Sequence, residues 1–137
     1  MKKILYHGTN NPEKILKNGF NRGEVGLYGD GVYFFQSISF AKNYGIKVIK
    51  AQVNISKPFT FTDQQNKLYT KIYNKYKEQE SSFPKKDAIN ELNKKYGFDA
   101  LKFNDFSRSR KGGIAWVIFN PNKIKVIGEI KKCSVWM

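Results

Sequence analysis

The stretch Gly112-Gly113-Ile114-Ala115-Trp116-Val117-Ile118-Phe119-Asn120-Pro121 decides the fold class of this chain. Residues 114–119 are apolar without interruption, whereas a strand with one face in water alternates apolar and polar residues. The run therefore predicts a central strand that is buried on both faces. Asn120-Pro121-Asn122 predicts the turn that ends it, and residues 124–130 predict a last strand.

Shorter elements surround this strand. Asn11-Pro12 predicts the start of a helix and Gly19 its end, while four glycines within residues 21–31 predict a loop. Further strands are predicted at about residues 3–6, 32–35, 49–55 and 98–103, and helices at about 37–44, 63–80 and 84–96. Short strands interrupted by small helices predict an α+β domain with a mixed or antiparallel sheet, not a doubly wound one.

The composition excludes several kinds of site. The chain of 137 residues has the length of one domain, with a single histidine and a single cysteine. These numbers exclude a multi-histidine metal centre, a cysteine-rich zinc site and a disulfide framework, so no metal is expected. Any histidine-assisted nucleophile would have to use His7. No apolar run is long enough for a signal peptide or a membrane span, which predicts a soluble, cytoplasmic protein.

The charge balance is strongly basic, because 25 Lys and Arg against 11 Asp and Glu give 25 − 11 = +14. This excess is typical of phosphate-binding proteins, but it equally fits a general lysine background, since only three of the 25 cations are arginines. Two of those arginines, Arg108 and Arg110, lie beside Lys111. This cluster is more informative than the total charge.

Three segments taken together resemble the NAD-binding core of ADP-ribosyltransferases of the poly(ADP-ribose)-polymerase type. They are Leu5-Tyr6-His7-Gly8-Thr9 with residues 15–20 after it, Gly29-Asp30-Gly31-Val32-Tyr33-Phe34 continuing to residues 41–44, and residues 114–121. The resemblance covers nearly the whole chain except about residues 60–96. It implies a single domain over residues 1–137 with a split sheet core, a helical insertion at about 60–96, and NAD⁺ as co-substrate.

The resemblance also implies roles for single residues. His7 would bind a ribose hydroxyl, the Gly8 backbone would take the nicotinamide amide, and Thr9 would contact the adenosine side. Tyr33 and Tyr44 would enclose the nicotinamide ring, Tyr44 by stacking. The cofactor-binding positions implied in this way are His7, Gly8, Thr9, Tyr33, Phe34, Ala41 and Tyr44.

The sequence departs from the family pattern at one catalytic position. Beside His7 and Tyr33, the pattern has a glutamate where this chain has Ala115, and a milder departure puts Ala41 in place of a frequent serine. Without that carboxylate the cationic transition state loses its stabilisation, so the chain is expected to be inactive. A natural pseudoenzyme and an engineered Glu-to-Ala replacement both fit, and the otherwise intact frame favours the second.

The loop before the apolar run would face the acceptor in this family. Arg pairs with phosphates and stacks on bases, as Phe can, so the loop predicts a nucleic-acid acceptor, RNA or DNA, ahead of protein. The same residues also fit a loop that is only solvated, or a loop that contacts the phosphates of NAD⁺. The implied acceptor-binding residues are Phe106, Arg108, Arg110 and Lys111.

Two other functions remain open at this point. Residues 112–119 partly match the RNA-recognition-motif signature, which would make the chain a non-catalytic RNA-binding module. An NAD⁺ glycohydrolase is the other alternative. A compact transferase of this kind is expected to act as a toxin, in phage defence or as a phage effector, and a toxin would have a neutralising antitoxin as partner.

Overall fold

A computed structural model of the chain describes residues 1–20, 25–26, 28–106 and 110–130, with residues 25–26 by their backbone alone. The strands are β1 (Lys2–Thr9), β2 (Val25–Gly26), β3 (Gly29–Asp30), β4 (Val32–Phe35), β5 (Lys47–Asn54), β6 (Pro58–Phe59), β7 (Ala100–Asp105), β8 (Gly113–Ile118) and β9 (Ile124–Glu129). The helices are α1 (Pro12–Asn18), α2 (Ile38–Ala41), α3 (Asp63–Glu78) and α4 (Pro84–Lys94), with 3₁₀ turns at Lys42–Tyr44 and Pro121–Lys123.

Seven of these strands form one mixed sheet in the order β6-β7-β8-β4-β1-β5-β9. Its neighbours are antiparallel except for the parallel pair β6–β7. Strand β8 lies between β7 and β4, and residues 115–119 are buried. The predicted central strand and the α+β class are therefore confirmed.

The sheet opens between β1 and β4. Strand β1 pairs with β5 at eight positions, whereas its register with β4 consists of the single pair Tyr6–Phe35. The two halves share one core, to which β1 contributes Leu5 and the other half contributes Phe34 and Trp116. The Nζ of Lys3 in β1 lies 5.6 Å from the centroid of the Trp116 ring of β8. This opening, with its single register pair, is called the seam below.

Helices cover the face of the sheet opposite to Leu5, Phe34 and Trp116, in two places. The α2 helix and its 3₁₀ turn pack on Phe35 and Ala115, and α3 and α4 pack on Leu101 and Val117. The Ser37 side chain caps α2 by accepting a hydrogen bond from the Phe40 backbone N–H at 3.1 Å, as expected for a serine at a helix start. In the described ranges no helix is long and apolar enough to cross a membrane.

Several element bounds differ by a few residues from the sequence prediction, and the short strand β6 (Pro58–Phe59) lies where only the end of a strand is predicted. Within the predicted loop, β2 and β3 pair as a two-stranded sheet. Strand β7 begins at Ala100 instead of residue 98, because the Phe98 N–H still donates to Leu92 at the end of α4 and the Phe98 carbonyl accepts from Asn93. Because both backbone groups of Phe98 are hydrogen-bonded to residues of α4, the strand starts two residues after the predicted position.

Candidate active site

His7 lies at the seam and links its two sides. Its Nδ1 is 2.7 Å from the carbonyl oxygen of Tyr33, and since a carbonyl can only accept, Nδ1 carries the proton. The imidazole packs edge-on against Phe20 and Phe34, at centroid distances of 5.0 and 5.7 Å, and is only 8% exposed. The ring orientation is therefore fixed by the backbone of β4 and by two phenyl rings.

The end of β1 makes an unusually close contact with the end of α2. A Cβ on Gly8 would lie 2.0 Å from the Ala41 carbonyl oxygen, and a Cβ on Gly45 would lie 2.3 Å from the Thr9 nitrogen. Gly45 has an extended backbone with φ 173°, so this contact, and not a left-handed helix end, requires a glycine there. Two glycines thus hold the turn that carries Tyr44 against the strand that carries His7.

Tyr44 contacts an acid that the sequence did not single out. Its ring stacks on Phe35 at a centroid distance of 4.7 Å and an interplanar angle of 17°. Its hydroxyl donates a hydrogen bond to Oδ2 of Asp105, which lies opposite Gly113 in the last register pair of β7 with β8. Asp105 could have been found from the sequence only if the β7–β8 register had been known.

Ala115 belongs to the same cluster. It pairs across the sheet with Phe35 on one side and Phe103 on the other, and its side chain is fully buried. Because strand residues alternate between faces, Asp105 lies on the same face as Phe103 and diagonally one step from Ala115, at a Cβ separation of about 7 Å. A carboxylate is therefore present close to Ala115, the position at which the sequence resemblance implies a glutamate.

Tyr33 holds the segment that precedes it. Its hydroxyl donates to the Gly29 carbonyl oxygen at 2.8 Å and accepts from the Tyr28 N–H at 3.1 Å. Gly29 has φ +97°, and a Cβ there would lie 2.8 Å from the Ile89 side chain of α4. The ring of Tyr28 in turn stacks on Phe103 at 3.8 Å, beside Ala115.

The α4 helix fixes this segment from outside. The Asn90 side chain accepts from the Asp30 N–H at 3.0 Å, and Lys86 Nζ lies 3.5 Å from Asp30 Oδ1. Helices α3 and α4 occupy the region for which the resemblance offered no counterpart. In the structure α4 contacts Gly29 and Asp30, and the Gly29 carbonyl accepts from the Tyr33 hydroxyl.

The remaining predicted positions are spread around this site. Phe34 is fully buried in the core shared by the two halves, where it supports the His7 ring. Thr9 Oγ1 accepts from the Asn11 N–H at 3.0 Å and so shapes the entry to α1. Ala41 is fully buried in the cluster that holds Tyr44.

The predicted acceptor loop is described in part. Phe106 is 61% exposed, although it rests against Gly112, where a Cβ would lie 2.7 Å from its ring. Arg110 and Lys111 are exposed, and Arg108 lies outside the described residues. The described part of the loop therefore presents an aromatic ring and two cations beside the end of β7.

The burial of the aromatic residues in 112–119 argues against an RNA-recognition motif. That motif stacks bases on aromatic rings that stand free on the sheet. Here Trp116 is 2% exposed and Phe119 is 1% exposed, and Trp116 donates its indole N–H to Gln36 at 3.1 Å. These rings are part of the core and offer no stacking surface.

Tyr69 on α3 and Glu91 on α4 have shifted pKa values. Burial raises the pKa of Tyr69 to about 12. A hydrogen bond from Lys75 lowers the pKa of the Glu91 carboxyl, which also accepts from Tyr76. Among the described residues no group of three or more His, Cys, Asp or Glu side chains could hold a metal ion.

Comparisons with known proteins identify the family and the fold of the chain. The family model described as "ADP-Ribosyltransferase in polyvalent proteins" matches residues 1–131. The solved structure described as "Crystal structure of an anti-CRISPR protein" shares the fold with a TM-score of 0.57 at 13% identity, covering 95% of this chain and 96% of that chain. A search of curated proteins finds no match.

The mixed seven-stranded sheet of a single α+β domain is consistent with the fold of ADP-ribosyltransferases. The chain belongs to the family of ADP-ribosyltransferases found in polyvalent proteins. Enzymes of this superfamily transfer ADP-ribose and use NAD⁺ as the donor.

Proposed function

We propose that this chain transfers ADP-ribose from NAD⁺ to a macromolecule at the seam between β1 and β4. His7, oriented through Nδ1, binds a ribose hydroxyl, and the Gly8 and Thr9 backbone lines the nicotinamide and adenosine sides. Tyr44 has Phe35 behind one face of its ring, and the nicotinamide stacks on the other. Tyr33 closes the site by holding the segment that precedes it.

The observation that carries the proposal is the contact between Tyr44 and Asp105. When the bond between the ribose anomeric carbon and nicotinamide breaks, its electron pair leaves with nicotinamide and positive charge develops on the ribose. A carboxylate held beside the stacked ring stabilises that charge, and typical losses on removing such a group are about 10²- to 10³-fold in rate. We assign this role to Asp105, next to the position occupied by Ala115.

This proposal competes with the expectation from the sequence that Ala115 leaves the chain inactive. If position 115 alone supplies the acid, Ala115→Glu creates activity that the unmodified chain lacks. If Asp105 supplies it, the unmodified chain is active and Ala115→Glu adds little, because the added side chain must enter a fully buried position beside Phe103. Nicotinamide release from NAD⁺, measured on both proteins with a cell extract as acceptor source, separates these outcomes.

A nucleic acid is the acceptor that the exposed loop favours. Arg110 and Lys111 supply two cations and Phe106 an exposed ring, which together suit a phosphate and a base. Arg110→Gln with Lys111→Gln is expected to reduce transfer of radiolabelled ADP-ribose to RNA or DNA about tenfold, with nicotinamide release into water unchanged. Lys14→Gln with Lys17→Gln on α1 removes the same charge elsewhere and serves as the control.

Three outcomes would redirect the proposal. Label that appears only on protein would make protein the acceptor, and free ADP-ribose alone would make the chain an NAD⁺ glycohydrolase. If a calorimetric titration shows no binding of NAD⁺, the proposed NAD⁺ site at the seam is wrong. The role as a toxin, in phage defence or as a phage effector, with a neutralising partner, stays a prediction.

A further inference from the structure

A second basic feature lies at the far end of β1 from His7. There β1, β5, β9 and the turn before β9 enclose a groove of about 230 Å³. Three lysines and three carboxamide side chains line it, namely Lys2, Lys123, Lys125, Gln52, Asn54 and Asn122. It belongs to neither the seam nor the predicted acceptor loop.

The strand register brings these residues to one face. Lys2 pairs with Asn54 across β1 and β5, and Gln52 pairs with Lys125 across β5 and β9. The intervening residue Val53 points into the core, so its neighbours on β5 point outward. The polar groove is therefore a fixed feature of the sheet, and its side chains stand on a rigid scaffold.

The charges of the groove are not neutralised within the part of the chain that the structure describes. None of the ammonium groups of Lys2, Lys123 and Lys125 has a carboxylate within 4.0 Å there; the described ion pairs involve Lys47, Lys75 and Lys86. No acidic residue lines the groove. Three like charges held together in this way attract a polyanion, and the net charge of +14 strengthens that attraction at long range.

We propose that this groove binds the phosphodiester backbone of a nucleic acid. The three ammonium groups contact successive phosphates, and the carboxamides hydrogen-bond sugar or base edges, as amide side chains do in nucleic-acid complexes. Because β1 advances about 3.3 Å per residue, the groove lies about 17 Å along the strand from His7. The inference goes beyond the proposed function, since binding here needs neither NAD⁺ nor transfer.

The test measures binding of a fluorescein-labelled 20-nucleotide single-stranded RNA by anisotropy, without NAD⁺, across a range of salt concentrations. The variant Lys2→Gln/Lys123→Gln/Lys125→Gln is expected to bind about 100-fold more weakly at 0.1 M salt. Its slope of log affinity against log salt should be smaller by about 2, since each phosphate contact with a single strand contributes about 0.7.

The matched control carries Lys67→Gln/Lys71→Gln/Lys77→Gln on the exposed side of α3, which removes the same charge. An equal loss in this control would reduce the effect to net charge and overturn the proposal, as would an unchanged slope in the groove variant. Displacement of the RNA by poly-glutamate at an equal concentration of charges would point to an acidic protein instead and also overturn it. The single variant Lys125→Glu keeps the test valid if the triple variant folds poorly, with at least a tenfold loss expected.

Discussion

Replacing Gly8 by alanine tests how the site is held together. The added Cβ would lie 2.0 Å from the Ala41 carbonyl oxygen, 3.0 Å from its carbonyl carbon and 3.2 Å from the Gly45 nitrogen. All three atoms are backbone, so no side chain can rotate away. Because ordinary contact begins at 3.4 Å, α2 or its 3₁₀ turn must move by more than 1 Å, and Tyr44 moves with it.

The size of the effect follows from that displacement. Overpacking of a well-packed site costs about 1–3 kcal/mol, and a clash between backbone atoms places this variant near 3 kcal/mol. For a chain of 137 residues we expect the melting temperature to fall by about 10 °C. NAD⁺ binding should weaken by about tenfold, because the stacking surface of Tyr44 is displaced.

Thermal unfolding followed by circular dichroism and calorimetric titration with NAD⁺ measure both effects. Gly128→Ala is the matched control, since a Cβ at Gly128 of β9 has no neighbour within 4 Å, and its unfolding free energy should change by less than about 1 kcal/mol. If Gly8→Ala melts within 2 °C of the unmodified chain and binds NAD⁺ equally well, the close contact between β1 and α2 does not organise the site.

Three further predictions concern residues of α3 and α4. Asn90→Ala leaves the Asp30 N–H without its acceptor, so we expect a loss of about 1–3 kcal/mol in urea unfolding and slower nicotinamide release, with Asn93→Ala as a comparison outside the site. Because the folded-state pKa of Tyr69 is raised to about 12, stability should fall as the pH rises from about 10 to 12, and Tyr69→Phe should reduce that fall. Because the pKa of Glu91 is lowered, its contribution is present above the unfolded-state pKa and is lost as the pH falls through the folded value, and Glu91→Gln should flatten the acid side of the pH–stability curve.

Much of the fold could be predicted from local pattern. The uninterrupted apolar run of β8 identified the central strand, and the alternation of residues 49–55 identified β5. A strand buried on both faces needs apolar residues throughout, and a strand buried on one face needs them at every second position. The helix starts at Pro12 and Pro84 were also predictable. The strand order was not, since nothing in a strand's own sequence states which strand lies beside it.

The site divides in the same way. Motif resemblance predicts His7, Tyr33 and Tyr44 as site residues. The role that we propose for Asp105 depends instead on the pairing of β7 with β8 and on the reach of the Tyr44 hydroxyl. The need for a glycine at position 45 comes from the Thr9 backbone, which leaves no room for a Cβ there. Contacts between segments distant in the chain decide such roles, and they leave no local signal.

The central claim is that Asp105 supplies the carboxylate for ADP-ribosyl transfer. Its most direct test is the rate of nicotinamide release from NAD⁺ by the unmodified chain and by Asp105→Asn, which keeps an oxygen to accept from the Tyr44 hydroxyl while removing the charge. We predict measurable release by the unmodified chain and a loss of about 10²- to 10³-fold in the variant, at unchanged melting temperature. Equal rates in the two proteins, or release that appears only after Ala115→Glu, would contradict the account.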